Sequence, residues 1–214
     1  MIRFHFDYLS PYAYIAWTQI HALGERHGRS IQPVPTLLAA LLAAGQTKGP
    51  AEIPAKRVWV FKDSVRTARV LGIPFGPPPT HPFNPLLALR ISGLDQPDEE
   101  RRRAIDALFA ATWGRGPGID SADGVRAVLD AAGLDGAALV ERASEAGAKA
   151  RLRDLTDEAL ANGVFGVPTM RVDGELFWGY DSFAHVERFL RGEDPLNDVD
   201  LNAWRDLRAS ASRA

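Results

Sequence analysis

Ser10-Pro11 and Val167-Pro168 stand far apart in the chain, and both have the setting of a site that holds a ligand. Upstream of Ser10, Ile2-Arg3-Phe4-His5-Phe6-Asp7 has the residue types of a strand, and Tyr8-Leu9 makes a short turn. Downstream, apolar residues recur at helical spacing from Ala13 to Gly28. This places Ser10 at the N-cap of a helix and Pro11 at its first position. A helix N-terminus favours negative charge, so Ser10 could hold an anion there. Phe165-Gly166-Val167-Pro168-Thr169 stands directly before a later strand pattern. The chain contains no cysteine, which excludes disulfides, thiolate metal sites and a cysteine nucleophile. If this frame performs sulfur chemistry, the sulfur arrives on a ligand.

The elements that must position these residues follow from the pattern. The first helix carries Ala13, Ala16, Trp17, Ile20 and Leu23 on one stripe and stops at Gly28. Ser30 to Val34 alternates as a short strand. Nothing else strand-like appears before Thr169. A helix over Pro54 to Leu71 places Val58, Phe61, Val65 and Ala68 on one face. After the stiff loop from Gly76 to Pro82, helices are expected over Pro85 to Ser92 and Asp98 to Thr112. Asp120 or Ser121 caps a further helix that buries Val125, Val128 and Leu129 and ends at Gly133. Asp135 opens another, and Ala148 to Asn162 closes the helical block with Leu152, Leu155, Ala159 and Leu160. Thr169 to Val172 and Glu175 to Trp178 flank Asp173-Gly174, a type I′ hairpin signal. A helix over Ser182 to Leu190 follows, then a loop and a short helix around Val199 to Leu207, fraying at the end. The β-α-β start and β-β-α finish are the halves of a thioredoxin fold. The expected architecture is α/β, with residues 1–35 and 163–214 forming the thioredoxin-like domain and residues 36–162 an all-helical insertion.

Composition bounds the partners. The 214 residues, 46% apolar and 24% charged, suit a single domain or a domain with a large insertion. A net charge of −2 and a pI near 6.2 give no reason to expect nucleic acid or an anionic membrane. His5, His21, His27, His81 and His185 lack metal-ligand spacing, and no Gly-rich phosphate loop occurs. No metal is expected. The start has no secretory pattern, and the longest apolar stretch, Leu37 to Ala44, is too short to span a bilayer. The expectation is a cytoplasmic protein.

Three stretches carry a resemblance: Phe6-Asp7-Tyr8-Leu9-Ser10-Pro11-Tyr12-Ala13-Tyr14, Gly166-Val167-Pro168-Thr169 and Phe177-Trp178-Gly179-Tyr180-Asp181. Pro54-Ala55-Lys56-Arg57, Leu71-Gly72-Ile73-Pro74-Phe75 and Thr112-Trp113-Gly114 extend it over nearly the whole chain. In this order they resemble the 2-hydroxychromene-2-carboxylate isomerases, relatives of the kappa-class glutathione transferases and of DsbA. The resemblance implies a thioredoxin-like fold with a helical insertion, glutathione as cofactor and a homodimer. It implies that Ser10 stabilises the glutathione thiolate and that the Val167-Pro168 backbone, with a cis peptide, receives the peptide portion as an added strand. Gly179, Tyr180, Asp181 and Ser182 map to the segment that receives the γ-glutamyl end. The family's commoner Gly-Asn-Asp-Arg is here Gly-Tyr-Asp-Ser, so the arginine is absent.

The same residues have plainer readings. Ser10-Pro11 is also an ordinary helix start, and Asp181 an ordinary N-cap for the last helix, although a capping carboxylate can also pair with an ammonium. Energetics favour a role for the hydroxyl. Lowering a thiol pKa from about 8.5 to about 6.5 takes roughly 2.7 kcal/mol. A helix dipole supplies about 0.3–1 kcal/mol, and a hydrogen bond to a charged acceptor about 1.5–3 kcal/mol. The dipole alone falls short, and the hydroxyl closes the gap. Lys48, Lys56 and Arg57 are either a solvated helix face or the site of a substrate carboxylate, and Asn84 is a further candidate. Among apolar residues of the insertion, Trp59, Phe61, Phe83 and Trp113 suit a flat aromatic acid, and no more than half are expected to face it. The implied reaction is glutathione-dependent cis/trans isomerisation of an aromatic 2-oxo or hemiketal acid. The alternatives are a kappa-like transferase that consumes glutathione and a binding module without catalysis.

Overall fold

A computed structural model describes residues 1–208 and 210 of the chain. Four strands, β1 (Ile2–Phe6), β2 (Ile31–Pro35), β3 (Thr169–Val172) and β4 (Glu175–Trp178), form one sheet in the order β2-β1-β3-β4. β1 runs parallel to β2, with Ile2 opposite Ile31, and antiparallel to β3, with Ile2 opposite Val172. The β3–β4 hairpin turns on Asp173 and Gly174, both at positive φ as a type I′ turn requires. Edge strand β2 carries Pro33 and Pro35, which have no N–H to offer a further strand.

Between β2 and β3 the chain is helical: α2 (Leu38–Ala44), α3 (Pro54–Leu71), α4 (Leu86–Gly93), α5 (Asp98–Trp113), α6 (Ala122–Ala131), α7 (Gly136–Ser144) and α8 (Ala146–Ala161). α1 (Pro11–Arg26) links β1 to β2, and α9 (Phe183–Leu190) follows β4. This is the thioredoxin-like fold with a helical insertion that the sequence implied. α8 lies against β2 and also touches α2, joining the helical segment to the sheet.

Most boundaries agree with the sequence within two residues, and the differences have physical causes. β2 lies one residue later than expected. Of the two candidate caps, Ser121 holds the start of α6, its Oγ accepting from the Gly124 N–H at 3.1 Å. The uniformly apolar run 38–44 showed no amphipathic period and is nonetheless a helix, its first N–H held by Asp7, just past the end of β1. In α3 the expected stripe divides: Ala68 is buried and Phe61 half-buried, whereas Val58 and Val65 face solvent. The helix after β4 begins at Phe183, and α10 spans only Asn202–Arg205. The end of the tail, residues 209 and 211–214, lies outside the described residues.

The core joins both halves. Phe4, Phe6 and Tyr8 from β1 and its turn pack with Trp17 of α1 and Phe109 of α5, all at most 2% exposed. Burial of such a side chain contributes roughly 1.5–3 kcal/mol. The Trp17 Nε1–H donates to Asp106 Oδ1 at 2.6 Å, so an α5 carboxylate satisfies the indole of α1.

Candidate active site

The turn between β1 and α1 is held from several directions, and Ser10 ends it. The Ser10 N–H donates to the Asp7 carbonyl at 3.1 Å. The fully buried Asp7 carboxylate accepts from the Leu9 N–H at 3.0 Å and from the Leu38 N–H at 2.9 Å. Burial pushes its pKa up to about 6 despite those two donors. The helical segment holds the turn's carbonyls: Trp113 Nε1–H donates to Tyr8 O at 2.8 Å and His81 Nε2 to Leu9 O at 3.0 Å. The Tyr8 hydroxyl meets Ser92 Oγ at 2.7 Å.

Ser10 is the N-cap of α1, its Oγ accepting from the Ala13 N–H at 3.1 Å, with Pro11 at the first helical position. Its hydroxyl points at Val167 O across 3.4 Å. That distance is at the outer limit of a hydrogen bond, so the proton is weakly held and available to a stronger acceptor. Ser10 and Val167 are 7% and 8% exposed, lying at the base of the surface.

The Val167–Pro168 peptide is cis. Among the described residues the Val167 N–H has no acceptor. Gly179 N–H donates to Pro168 O at 2.9 Å, which brings the segment after β4 beside the proline. Gly179 has φ 88°, and a Cβ there would run into the Asp181 carboxylate, so glycine is required. Tyr180–Ser182 is a 3₁₀ turn packed against α1. Asp181 is exposed, makes no hydrogen bond or ion pair with a described residue, and lies inside this turn rather than at the N-cap of α9. The N-cap residue is Ser182, whose hydroxyl instead donates to Trp178 O. Tyr12 lies in the first turn of α1, within the electrostatic reach of both Asp63 and Asp181. Its hydroxyl donates to Asp63 Oδ2 at 2.8 Å, and burial, this bond and the two carboxylates push its pKa up. Tyr180 is half-buried against Phe183, and burial raises its pKa as well.

The helical segment supplies the opposite wall. The His81 ring packs against Phe61, Phe83 and Trp113, at centroid distances of 5.6, 6.4 and 5.4 Å. Of the four aromatic candidates, Trp113 is core and Trp59 faces outward on α3, leaving Phe61 and Phe83 half-exposed beside His81. Lys48, Lys56 and Arg57 are exposed and form no ion pair among the described residues. Arg57 lies one helical turn before Phe61, on the same side of α3. The Asn84 side-chain oxygen accepts from the Leu86 N–H at 3.1 Å and so opens α4. His81 drew attention in the sequence only as a histidine without metal spacing. Its place in the Pro77-to-Pro82 loop beside aromatic residues was the available signal. A cleft of about 290 Å³ lined by Trp17, His21, Pro33 and Arg102 lies apart and includes none of the candidates.

A serine at a helix N-cap facing a cis-proline loop, in a thioredoxin-like sheet, defines a class. The family model for the DSBA-like thioredoxin domain matches residues 1–191, and the chain belongs to that family. Within it, the chain is similar to the 2-hydroxychromene-2-carboxylate isomerase of Sphingobium xenophagum, 28% identical with 88% of this chain and 97% of the relative covered. It is also similar to glutathione S-transferase kappa 1 of Caenorhabditis elegans, 28% identical with 92% and 93% covered. A solved structure of a 2-hydroxychromene-2-carboxylate isomerase superposes with a TM-score of 0.82 at 26% identity, covering 89% of this chain and 94% of that one. Among the described residues, no helix is long and apolar enough to cross a membrane.

Proposed function

We propose that this protein is a cytoplasmic, glutathione-dependent isomerase acting on a conjugated aromatic 2-oxo or hemiketal acid. The observation that carries the reading is the pairing, in a cysteine-free site, of the weakly held Ser10 hydroxyl with a Val167 N–H that has no acceptor among the described residues. The similarity to named isomerases and kappa-class transferases supports it.

The residues present fit glutathione. Val167 offers an N–H to a ligand carbonyl, as an edge strand offers one to an added strand. Asp181 is an exposed carboxylate beside Gly179, unpaired among the described residues and suited to the ammonium of a γ-glutamyl group. When bound, glutathione supplies a thiolate whose reversible addition to a conjugated double bond permits rotation and returns the thiol unconsumed. Ser10 would donate a hydrogen bond to the sulfur, keeping its own proton, while the N-terminus of α1 adds its partial positive charge. Asp7, Trp113 and His81 hold the turn so that this hydroxyl keeps its direction. Phe61 and Phe83 bound the side from which a flat substrate approaches, and Arg57 is the cation placed to meet its carboxylate.

The second reading, favoured by equal identity to the kappa-class relative, is a transferase that conjugates glutathione. Calorimetric titration with glutathione, followed by assay on a cis conjugated aryl 2-oxo acid, separates the readings. Isomerisation returns all glutathione; conjugation depletes it with turnover; absence of binding removes both.

A further inference from the structure

The cleft of about 290 Å³ that lies apart from the candidate site is bounded by α1, β2 and the first turn of α5. Its apolar surface comes from Trp17 and from Ile31 and Pro33, two residues apart on edge strand β2 and so on one face of it. His21 stands one helical turn after Trp17, its ring set edge-on to the indole at a centroid distance of 4.6 Å. The volume is at the small end for ligand sites and admits one flat molecule of about ten to fifteen non-hydrogen atoms.

The walls are fixed from within. The Trp17 Nε1–H is occupied by Asp106 Oδ1 at 2.6 Å. Arg101 pairs with Asp98 at 2.7 Å and donates to the carbonyls of Leu94 at 3.3 Å and Gln96 at 3.1 Å, which ties down the start of α5. Two polar groups remain without such partners. Arg102 is held only loosely, with Asp106 Oδ2 lying 3.9 Å from its Nε, beyond hydrogen-bond reach. His21 Nε2 is buried with no partner among the described residues. Burial, and then Arg102, push the His21 pKa down against the opposite pull of Asp106 and Glu25. The ring is therefore neutral at pH 7, and the cation beside it is Arg102.

We propose that this cleft is a second ligand site, for a small, flat, apolar molecule that bears one carboxylate. The carboxylate meets the guanidinium of Arg102, whose planar fork suits two parallel N–H···O bonds. The ring lies among His21, Ile31 and Pro33, where an aromatic ring gains both burial and edge contacts. A carboxylate is favoured over an ammonium because Asp98 and Asp106 already have donors, whereas Arg102 has no carboxylate at hydrogen-bond distance. Glu99 also lines the cleft, exposed and without an ion pair among the described residues. None of these residues belongs to the Ser10–Val167 site, so the inference is independent of the glutathione reading.

The test is a titration of the isotope-labelled full chain with naphthoate, followed by nuclear magnetic resonance shifts. Shifts at Trp17, His21, Ile31 and Arg102 should report one Kd of about 0.1–1 mM. Arg102→Gln, at a half-exposed position and checked for native circular dichroism, should weaken binding at these residues at least ~5-fold. Glu99→Gln should not weaken it. Naphthylmethanol, which lacks the charge, should bind wild type at least ~5-fold more weakly than naphthoate and should be indifferent to Arg102→Gln. Naphthylmethylamine, of opposite charge, should bind no better than the alcohol. Four results would overturn the proposal: no shifts at the cleft up to about 5 mM ligand, shifts confined to the surroundings of Ser10 and Phe61, an Arg102→Gln variant that binds as wild type does, or a preference for the amine.

Discussion

The Ser10 hydroxyl lies 3.4 Å from the carbonyl oxygen of Val167, two residues brought together from opposite ends of the chain. The contact is too long to hold the proton firmly, while the Ala13 N–H already occupies one acceptor position of the oxygen at 3.1 Å. Ser10 therefore has a proton to donate, and its orientation is fixed from behind.

Replacing Ser10 by Ala should leave the fold intact at a cost of about 1 kcal/mol for the lost N-cap. Turnover should fall at least ~10-fold, the scale of a lost hydrogen bond to a charged acceptor. Denaturant titration and steady-state assay give both numbers. Unchanged turnover with reduced stability makes Ser10 a helix cap and nothing more. Ser10→Cys should not restore activity, because a protein thiol there can form a mixed disulfide with glutathione.

Asp181→Asn should weaken glutathione binding ~10-fold by removing the partner of an ammonium. A glutathione analogue lacking that ammonium should bind wild type and variant alike. Equal loss with both ligands would mean that Asp181 supports only the local turn around Gly179.

Arg57→Gln should raise KM for the aromatic acid severalfold while glutathione affinity stays unchanged. Lys48→Gln and Lys56→Gln should do less, since only Arg57 shares the side of α3 that carries Phe61. If none of the three alters KM, the aromatic-acid substrate should be abandoned before the glutathione chemistry is.

His5 and Asp7 should oppose each other in the pH dependence of stability. The folded chain holds the Asp7 proton up to about pH 6 against the usual 3.8, so stability falls as pH rises through that window. For His5, burial and then Arg3 push the pKa down to about 4 from the usual 6.5, so stability rises across that window. Each effect is worth roughly 3 kcal/mol over its full range, and between about pH 4 and 6 they cancel. His5→Gln should expose the Asp7 slope, with urea midpoints falling from pH 4 to 6. Asp7→Asn should expose the opposite slope. Profiles parallel to wild type would contradict both assignments.

The sequence made the frame of the site legible because its signals are local. Ser10-Pro11 announces a helix start, and Asp173-Gly174 fixes the hairpin that follows Pro168. What it left unread depends on long-range packing. No local pattern marks Asp7 as the carboxylate that joins the Ser10 turn to Leu38, thirty-one residues on. Nor does any mark His81 and Trp113 as the donors that hold the turn's carbonyls. The α3 stripe divided because periodicity shows that a face is apolar but not whether its own chain covers it. Of the two readings of Asp181, the N-cap fails because a 3₁₀ turn intervenes before α9.

The most direct measurement of the central claim is the ultraviolet titration of glutathione thiolate bound to the wild-type protein and to Ser10→Ala. The bound thiol should ionise about 2 pH units below the free thiol in wild type, and at least ~1 unit of that shift should vanish without the hydroxyl. A bound thiol that titrates near its ordinary value, or equally in both proteins, would contradict the role assigned to Ser10.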